Sequence, residues 1–577
     1  FGFANAALGI YNTYSQASQY ATGLYRYSNI EWYGQDTWKV TKNFTLDYGM
    51  RFYWIQPQFD AALQTSTFLP QRYNPAAAPL LYQPVLGPDG TKLAQNPATG
   101  QTLPAYAIGK IVPNSGNLLN GIAKAGTQYS KYLMKDRGIQ YSPRFGFAWD
   151  VTGKSNIVIR GGGAILYDRY QGNLIFDELT NPPTTFAPTL TYGLINQISP
   201  TSALLGPSGL TTLDPNGENP TIANYSLGVQ MRLPASFILD TSYVGNRAWH
   251  LQQKLNINAI PYGATFLPQN QDPTAGNPSQ PGAGALPRDF LRPYPGYGDI
   301  GVHEAGGTSN YNSLQVSLNR DFSKGLLIGV AYTYGKALGT SSGDGDYNRI
   351  DGLERFANYG PLTFDRRHTV AINAIYQFPS IFKRGILHTI VDGWQISDLT
   401  RFQTGAPYDV NFSLDGWSNQ NLTGSYTEGP RTQVVGDPKA GTNDSPYQRL
   451  NAGAFAPPPV GNIGLGEGRY PFYGPGINDT DLSLSKAFRF KERFGIELRA
   501  EAVNAFNHPQ FGGVGGDGVS NNSGIHSTVN YSGDPSNYSV KNAFLNSSGG
   551  INNINGFGTV SGARDPRIML LSATVSF

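Results

Sequence analysis

The amino-acid sequence predicts an all-β protein that forms a transmembrane antiparallel β-barrel with long extracellular loops. The first observation is that many short runs alternate apolar and polar residues, the period of a strand with one apolar face. The second is that charged residues make up only 14% of the chain, whereas Gly (70) and Tyr (35) are abundant; soluble domains have about 25% charged residues. The third is that the last alternating run ends on an aromatic residue, Phe577.

The composition also excludes several classes of protein. No run of about 18 apolar residues is present and the mean hydropathy is -0.33, so helical membrane spans are excluded, whereas barrel strands are apolar only at every second position. Cysteine is absent, which excludes disulfides, thiolate metal sites and cysteine nucleophiles. The formal net charge of +3 gives no basic footprint for nucleic acid.

The final run, residues 567–577, organises the topology. Its apolar side chains include Leu571, Val575 and Phe577, and its Ser and Thr side chains lie on the other face. A soluble sandwich edge could have this pattern, but an open edge is a template for aggregation, which a closed barrel removes. A last strand ending in Phe resembles the segment that the barrel assembly machinery reads, so we predict that these three residues form an assembly signal.

The elements follow in chain order. Residues 1–26 are rich in small and polar residues and are predicted to be loop or a partial strand. Residues 28–40 and 44–54 then form the first predicted hairpin, and the second of these runs keeps period two for eleven residues. Five more predicted hairpins and the final strand bring the count to about thirteen strands. The further strands are predicted near residues 144–149, 157–167, 225–233, 237–243, 313–318, 328–334, 370–378, 394–402, 482–488, 496–503 and 567–577.

The connections between these strands alternate between short and long. Long stretches without a sustained period are predicted loops near residues 56–140, 168–222, 248–310, 338–366, 405–476 and 506–566. Long extracellular loops and short periplasmic turns are typical of outer-membrane barrels, and single-chain bacterial barrels close with an even number of strands. An odd count therefore predicts either a strand hidden in residues 1–26 or a chain that is the carboxy-terminal part of a larger barrel.

Many segments, in this order, resemble the Oar-like branch of the TonB-dependent outer-membrane receptors. The resemblance extends from about residue 26 to the end of the chain. It rests on WYGQDTWKVT (32–41), FTLDYGMRF (44–52), SPRFGFAWD (142–150), VIRGGGAILYDR (158–169), SYVGNR (242–247), SNYNSLQVS (309–317), FDRRH (364–368), GPGINDTDLSLSK (474–486), AEAVNAFNHPQFG (500–512) and DPRIM (565–569).

The resemblance implies a barrel of 22 strands with a plugged lumen, of which the thirteen strands here would be strands 10–22. Residues 27–577 would be the carboxy-terminal portion of the barrel, and the plug, its TonB-contacting segment and any amino-terminal domain would be absent from this sequence. The implied location is the bacterial outer membrane. The implied partners are outer-membrane lipid, the barrel assembly machinery and, through the missing plug, the TonB complex.

Charged residues opposite the apolar stripes are the candidate binding residues. An Arg or Lys facing lipid at mid-bilayer costs about 2–4 kcal/mol, so these side chains are predicted to face the lumen. They could line a substrate path or pair with a plug and with one another, and we favour pairing. The candidates are Arg51, Arg144, Arg160, Arg232, Asp240, Glu497, Arg499 and Glu501.

Other motifs are assigned to structure. Gly161, Gly162 and Gly163 lack the GK[ST] and the following helix of a phosphate loop, and are predicted to be strand glycines. His368 and the Asn507-His508-Pro509 segment have no metal-ligand spacing and are predicted to be structural. Asp344 and Asp346 have calcium-ligand spacing without the final glutamate, so a polar loop tip is favoured. We predict no catalytic residue, no metal and no cofactor.

The predicted function is that of an outer-membrane TonB-dependent receptor or transporter barrel, not an enzyme, that takes up or passes a large ligand recognised by its loops. A surface structural or adhesive protein, in which the barrel only anchors the loops, is one alternative. A passive porin is another. The sequence does not identify the substrate.

Overall fold

Thirteen long strands follow one another in one antiparallel order in the computed structural model. The structure describes residues 2–198, 204–343, 347–348, 358–382, 385–442, 447–464, 471–490, 494–511, 524–546 and 548–577. The long strands are β1 (Asn29–Lys39), β2 (Phe44–Ile55), β3 (Ile139–Asp150), β4 (Ile157–Tyr167), β5 (Thr221–Leu233), β6 (Phe237–Asn256), β7 (Tyr297–Ser323), β8 (Leu326–Gly339), β9 (His368–Gln377), β10 (Trp394–Gln403), β11 (Ile477–Phe490), β12 (Phe494–Val503) and β13 (Ile568–Ser576).

These strands confirm the predicted fold class, and each predicted run lies in one of them. We call this thirteen-stranded sheet the wall. Three shorter strands attach to it: Ser208–Leu213 pairs with β7, Tyr347–Asn348 with β6 and Gly360–Pro361 with β8. Among the described residues, no helix is both long and apolar enough to cross a membrane.

The two edges of the wall do not meet in the described part of the chain. On its outer side β1 has no wall strand beside it, and β13 pairs only with β12. The strand order therefore runs from β1 to β13 without returning to β1.

Short connections join the wall strands at one end. Residues 40–43, 151–156, 234–236, 324–325 and 378–393 connect successive pairs, and the connection between β11 and β12 lies outside the described residues. The 151–156 turn is organised by Asp150, whose carboxylate accepts the Gly153 amide at 2.9 Å and the Ser155 amide at 2.8 Å. This local bonding stabilises the turn that the sequence predicts there.

Strands β6, β7 and β8 extend well beyond a bilayer at the other end. β7 has 27 residues, whereas a membrane-crossing strand needs about 9–11. The register between β6 and β7 shifts between Ala248 and Leu251 and again before Gln253. These irregularities mark the part of the hairpin that supports the long connections.

The long connections carry structure that the sequence pattern did not indicate. Their elements are too short to show a period, and their packing joins residues far apart in the chain. The strands are Phe59–Asp60, Ser66–Phe68, Gln83–Leu86, Lys92–Gln95, Thr102–Pro104, Ile122–Lys124, Thr189–Leu194, Pro407–Tyr408, Asn411–Leu414, Gln433–Val434, Phe455–Ala456, Phe472–Tyr473, Thr528–Asp534 and Asn537–Val540. The first of them pairs with Tyr25–Arg26, a strand that precedes the wall.

The helical elements are all short. The 3-10 helices are Pro70–Arg72, Pro75–Ala77, Ala105–Ala107, Glu178–Thr180, Ile195–Gln197, Pro234–Ser236, Ala264–Phe266, Pro268–Asn270, Arg288–Phe290 and Ala452–Ala454. The α-helices are Gly2–Ala7, Asn173–Asp177, Ile386–Val391 and Asn419–Leu422. Before the wall, the strand Ile10–Ser15 pairs with Thr189–Leu194, away from the thirteen-stranded order. Residues 1–26, predicted to be loop or a partial strand, thus contain the strands Ile10–Ser15 and Tyr25–Arg26, neither of which belongs to the wall.

Candidate functional site: the polar face of the wall

All eight predicted binding residues lie on one face of the wall. Directly paired residues of neighbouring strands share a face, so the register can be followed across the sheet. Arg51 is paired with Ser142, which lies on the same face of β3 as Arg144. Arg160 is paired with Gly228, which lies on the same face of β5 as Arg232 and next to the face of β6 that carries Asp240. The same register continues across β7–β10 to β12, where Glu497, Arg499 and Glu501 lie. We call this the polar face, and the opposite side the apolar face.

Arg51 forms the first ion pair of the polar face. Its guanidinium binds Glu31 of β1, with 3.1 Å between Nε and Oε2, and the Arg51 side chain lies over the Tyr53 ring. On the same face the Thr37 hydroxyl donates to Asp47 at 2.5 Å. Glu31 and Asp47 were missing from the predicted set, although each belongs to an alternating run.

Arg160 and Asp240 form a second pair that crosses a whole strand. The guanidinium on β4 passes over Gly228 of β5 and binds the carboxylate on β6. A Cβ at Gly228 would lie 2.4 Å from the Ser242 hydroxyl, so this position keeps the crossing open. Ser242 also donates to the second oxygen of Asp240 at 2.8 Å. The strands predicted from the sequence do not reveal this ion pair, because it depends on the register of three strands.

Arg499 is held between two carboxylates of its own strand. Its guanidinium nitrogens lie 2.8 Å from Glu497 and 3.3 Å from Glu501. All three side chains are about 40% exposed, and exposed ion pairs contribute little to stability, typically under about 1 kcal/mol. This triad therefore sets the local charge of the face more than it stabilises the fold.

Two of the predicted arginines are not neutralised in this way. In the described part of the chain, neither Arg144 nor Arg232 has a carboxylate within ion-pair distance. Arg144 lines a groove of about 640 Å³ on β2–β6 together with Asp47, Asn224 and Asn246. Its guanidinium is thus available to an anionic or hydrogen-bonding group entering this groove.

Some carboxylates depart from the alternation. Asp36 pairs with Tyr48 on the apolar face, and the Tyr48 hydroxyl donates to it at 3.0 Å. Asp398 lies on the apolar face as well, where the Thr400 hydroxyl donates to it at 2.9 Å. Neither was a predicted site residue, because a single break in an alternating run gives no signal of its own.

The glycine and histidine motifs have structural positions. Gly161, Gly162 and Gly163 lie inside β4, so the prediction of strand glycines is confirmed. A Cβ at Gly162 would lie 2.6 Å from the Phe145 carbonyl oxygen. His368 begins β9 and contacts the Tyr332 hydroxyl through Nδ1 at 2.9 Å. The His508 amide donates to Asn504 at 2.9 Å. Asp344 and Asp346 lie outside the described residues.

Asp365 of the FDRRH segment joins a long connection to the wall. It is 1% exposed, accepts the Ala337 amide of β8 at 2.7 Å and accepts the Tyr473 hydroxyl at 3.0 Å. Arg367 donates to the same hydroxyl at 3.1 Å. Burial raises the pKa of Tyr473 and the Asp365 charge raises it further, while the Arg367 hydrogen bond opposes the shift. Tyr473 therefore stays protonated and able to donate.

The connections after β10 and β12 pack into a common core, which we call the loop cap. Its central residues include Phe455, Val529, Tyr531 and Phe557, each at most 1% exposed. Asn411–Leu414 pairs in parallel with Thr528–Asp534, which joins the two connections directly. A cavity of about 360 Å³ in the cap is lined by residues that include Phe412, Trp417, Asn419, Arg431 and Phe472.

A second buried carboxylate lies in the connection between β4 and β5. Glu178 is fully buried, its Oε1 accepts the Leu213 amide at 3.0 Å, and its other oxygen has no hydrogen-bond partner among the described residues. Burial raises the pKa of Glu178 well above its ordinary value, which the Leu213 amide opposes in part and the nearby Asp177 charge reinforces. A neutral side chain is therefore favoured at this position.

The family model of an outer membrane beta barrel domain matches residues 1–569 of the chain. The chain belongs to this family of outer-membrane β-barrel domains. Family membership confirms the predicted location in the outer membrane, and a barrel domain of this kind is not an enzyme. The polar and apolar faces are thus the two sides of an outer-membrane barrel wall.

Solved structures similar to this outer-membrane barrel domain include three bacterial proteins. They are the outer membrane transporter YddB from Escherichia coli (11% identity, TM-score 0.38, 95% of this chain and 54% of that one), the ferric-catecholate import receptor Fiu from E. coli K12 (10%, 0.36, 96% and 45%) and the siderophore receptor PiuA from Acinetobacter baumannii (7%, 0.38, 95% and 43%). The chain spans about half the length of each. A comparison with curated protein sequences found no significant match.

Proposed function

We propose that this barrel domain belongs to a TonB-dependent receptor or transporter of the Oar-like branch, which takes up or passes a large ligand across the outer membrane. The observation that carries the proposal is the polar face, which can be followed from β1 to β12 and carries charged residues on β1–β6 and on β10–β12. Burying that face toward lipid would cost about 2–4 kcal/mol for each Arg at mid-bilayer. The face therefore lines the lumen, and the long connections form the extracellular side.

The polar face fits a plugged lumen better than a bare aqueous pore. Arg51, Arg160 and Arg499 already have carboxylate partners on the wall. The guanidinium groups of Arg144 and Arg232 have no such partner among the described residues and remain open toward the interior. These two arginines are the positions at which a plug or a passing anionic ligand would be held. The TonB complex would act through such a plug, supplied by a segment outside residues 1–577.

The loop cap is the proposed place of first ligand contact. Its cavity of about 360 Å³ combines Phe412 and Trp417 with polar groups of Asn419 and Arg431. Binding cavities commonly pair aromatic walls with a few polar groups that fix orientation. The cap has its own buried core, which also favours the alternative that the barrel only anchors a surface structure or adhesin.

Energy-dependent uptake is the test that separates these functions. Cells with the full-length protein would be grown on mixed peptide, glycan and metal-chelate nutrients, and accumulation would be measured with and without a protonophore. A receptor of this class requires the proton gradient, and Arg144→Ala and Arg232→Ala should lower its uptake. Entry that ignores the protonophore would indicate a porin. Surface adhesion without accumulation would indicate the anchoring role.

A further inference from the structure

The β9–β10 connection, residues 378–393, differs from the other short connections because it contains an apolar helix. We call Ile386–Val391 the turn helix. None of its residues is buried: Ile386 is 77% exposed, Leu387 54% and Ile390 60%, and the nearby Ile381 is 71% exposed. Contiguous exposed apolar surface of this kind marks an interaction site.

Two side chains show on which side of the wall this helix lies. Trp394 and Lys486 are a directly paired couple on the apolar face. The Trp394 indole donates to the Ile390 carbonyl at 3.0 Å, and the Lys486 ammonium donates to the Asp392 carbonyl. Lys486 is only 3% exposed, because the connection covers it. The turn helix therefore folds over the lipid side of the wall and not under the lumen.

A carboxylate fixes the shape of the connection. Asp392 accepts the Ser380 hydroxyl at 2.6 Å, the Ile381 and Phe382 amides at 2.9 and 3.0 Å, and His388 Nδ1 at 2.7 Å. Asp392 thus binds His388 inside the connection. Ile386, Leu387 and Ile390 are the most exposed apolar side chains of the helix, next to the exposed Thr389.

The helix continues an aromatic belt of the apolar face. Tyr376 and Phe378 contact each other edge to face at 5.2 Å, and the Lys486 ammonium lies 5.2 Å from the Trp394 ring and 5.0 Å from the Phe488 ring. These four aromatic residues stand at the short-connection end of the wall, where outer-membrane barrels carry a girdle at the level of the lipid headgroups. The occupant next to this surface is therefore a phospholipid leaflet.

We propose that the turn helix lies in the periplasmic leaflet of the outer membrane, with Ile386, Leu387 and Ile390 inserted at the boundary of headgroups and acyl chains. The helix would act as an interfacial anchor for the β9–β10 hairpin. This inference rests on the proposed assignment of the polar face to the lumen, which leaves the apolar face to lipid.

The test uses fluorophores at single cysteines, since the chain contains none of its own. Ile386→Cys and Ile390→Cys, in the full-length protein reconstituted into phosphatidylethanolamine and phosphatidylglycerol vesicles, would carry an environment-sensitive dye. The controls are Lys154→Cys, exposed in the short 151–156 turn, and Leu227→Cys, in the middle of the apolar face of β5. Resistance to SDS before heating would show that each variant has folded.

We expect phospholipids brominated near the top of the acyl chain to quench the dyes at 386 and 390 at least 3-fold more strongly than at 154, with iodide showing the reverse order. Trp394→Phe, which keeps a ring but removes the indole donor, should reduce lipid quenching at 386 in a folded barrel. Iodide quenching at 386 equal to that at 154, with Leu227→Cys quenched by lipid, would overturn the anchor and leave the wall assignment intact. Absence of lipid quenching at 227 would instead overturn the wall assignment.

Discussion

At the scale of single residues, alternation decides which side chains meet lipid. Leu227 and Val229 share the apolar face of β5, and the intervening Gly228 and Gln230 share the polar face with Arg160 and Asp240. The same rule places Arg51, Arg160 and Arg499 on one face with the carboxylates that bind them. Asp36, Asp398 and Lys486 are exceptions on the apolar face. A slip of one residue would exchange the faces.

Arginine substitutions in β5 test this assignment. We expect Leu227→Arg and Val229→Arg each to destabilise the folded protein by about 2–4 kcal/mol, because the charge would enter the middle of the bilayer. Gln230→Arg should have a much smaller effect, since it adds a charge to the polar face. Urea unfolding in phospholipid vesicles measures the difference, and equal losses at positions 229 and 230 would show that the faces are assigned wrongly.

Glu178 gives a prediction about pH. Its pKa is raised in the folded state, so between about pH 4.5 and that raised value the folded protein binds more protons than the unfolded chain, and stability falls as the pH rises. Glu178→Gln, which is neutral at every pH, should fold and should abolish this pH-dependent loss of stability. Limited proteolysis of the 168–222 region against pH measures it. Asp177→Asn, which removes an exposed charge that helps to raise this pKa, should weaken the pH dependence without abolishing it.

At the scale of elements, the ends of strands attach the long connections and carry the proposed assembly signal. Strand β13 presents Leu571 and Val575 on the apolar face, paired with Ala500 and Ile496, and Phe577 follows at 95% exposure. At the other end of the wall, Asp365 connects β8 with the short strand Phe472–Tyr473. Each of these strand ends involves few residues but is attached to a much longer segment of the chain.

Deletion of Phe577, or Phe577→Asp, should lower the amount of folded protein at the cell surface several-fold, because the proposed assembly signal on the apolar face is lost. Surface labelling and heat-modifiable migration on gels would measure folded protein in the outer membrane. Ser576→Ala, on the polar side of the same strand, is the matched control and should assemble normally. Wild-type surface levels of the Phe577 variants would rule out the assembly signal.

Asp365→Ala should loosen the connection between β10 and β11. The substitution leaves the buried Ala337 amide without its acceptor, which costs about 1–3 kcal/mol. It also removes the acceptor of the Tyr473 hydroxyl. We expect faster proteolysis within residues 405–476 and an unchanged wall. Asp415→Ala, which breaks an exposed ion pair with Lys541, should have no measurable effect. Similar proteolysis rates for both variants would contradict the role of Asp365.

At the scale of the whole molecule, the wall is an ordered but open sheet in the described part of the chain. Its edges, β1 and β13, each have one wall neighbour. Unpaired backbone groups in hydrocarbon cost several kcal/mol each. We therefore propose that further strands and a plug, outside residues 1–577, complete the barrel.

This proposal predicts the behaviour of residues 1–577 expressed alone. We expect the isolated chain to aggregate in phospholipid vesicles, without an SDS-resistant folded band and without channel conductance. Co-expression with the remainder of the protein should restore both the band and the protection of the β1 edge from hydrogen exchange. Stable conductance from the isolated chain would contradict the proposal and favour a self-contained porin.

The wall could be predicted from local sequence pattern. Period-two alternation, the short turns and the low charge predicted the thirteen strands and placed all eight charged candidates on one side, because burial against lipid constrains every second residue locally. The pairing of those charges, such as the contact of Arg160 with Asp240 across Gly228, became visible in the folded chain. It also revealed the core of the loop cap and the side of the wall on which the turn helix lies. These features depend on contacts between residues far apart in the chain, and such contacts leave no periodic signal in the sequence.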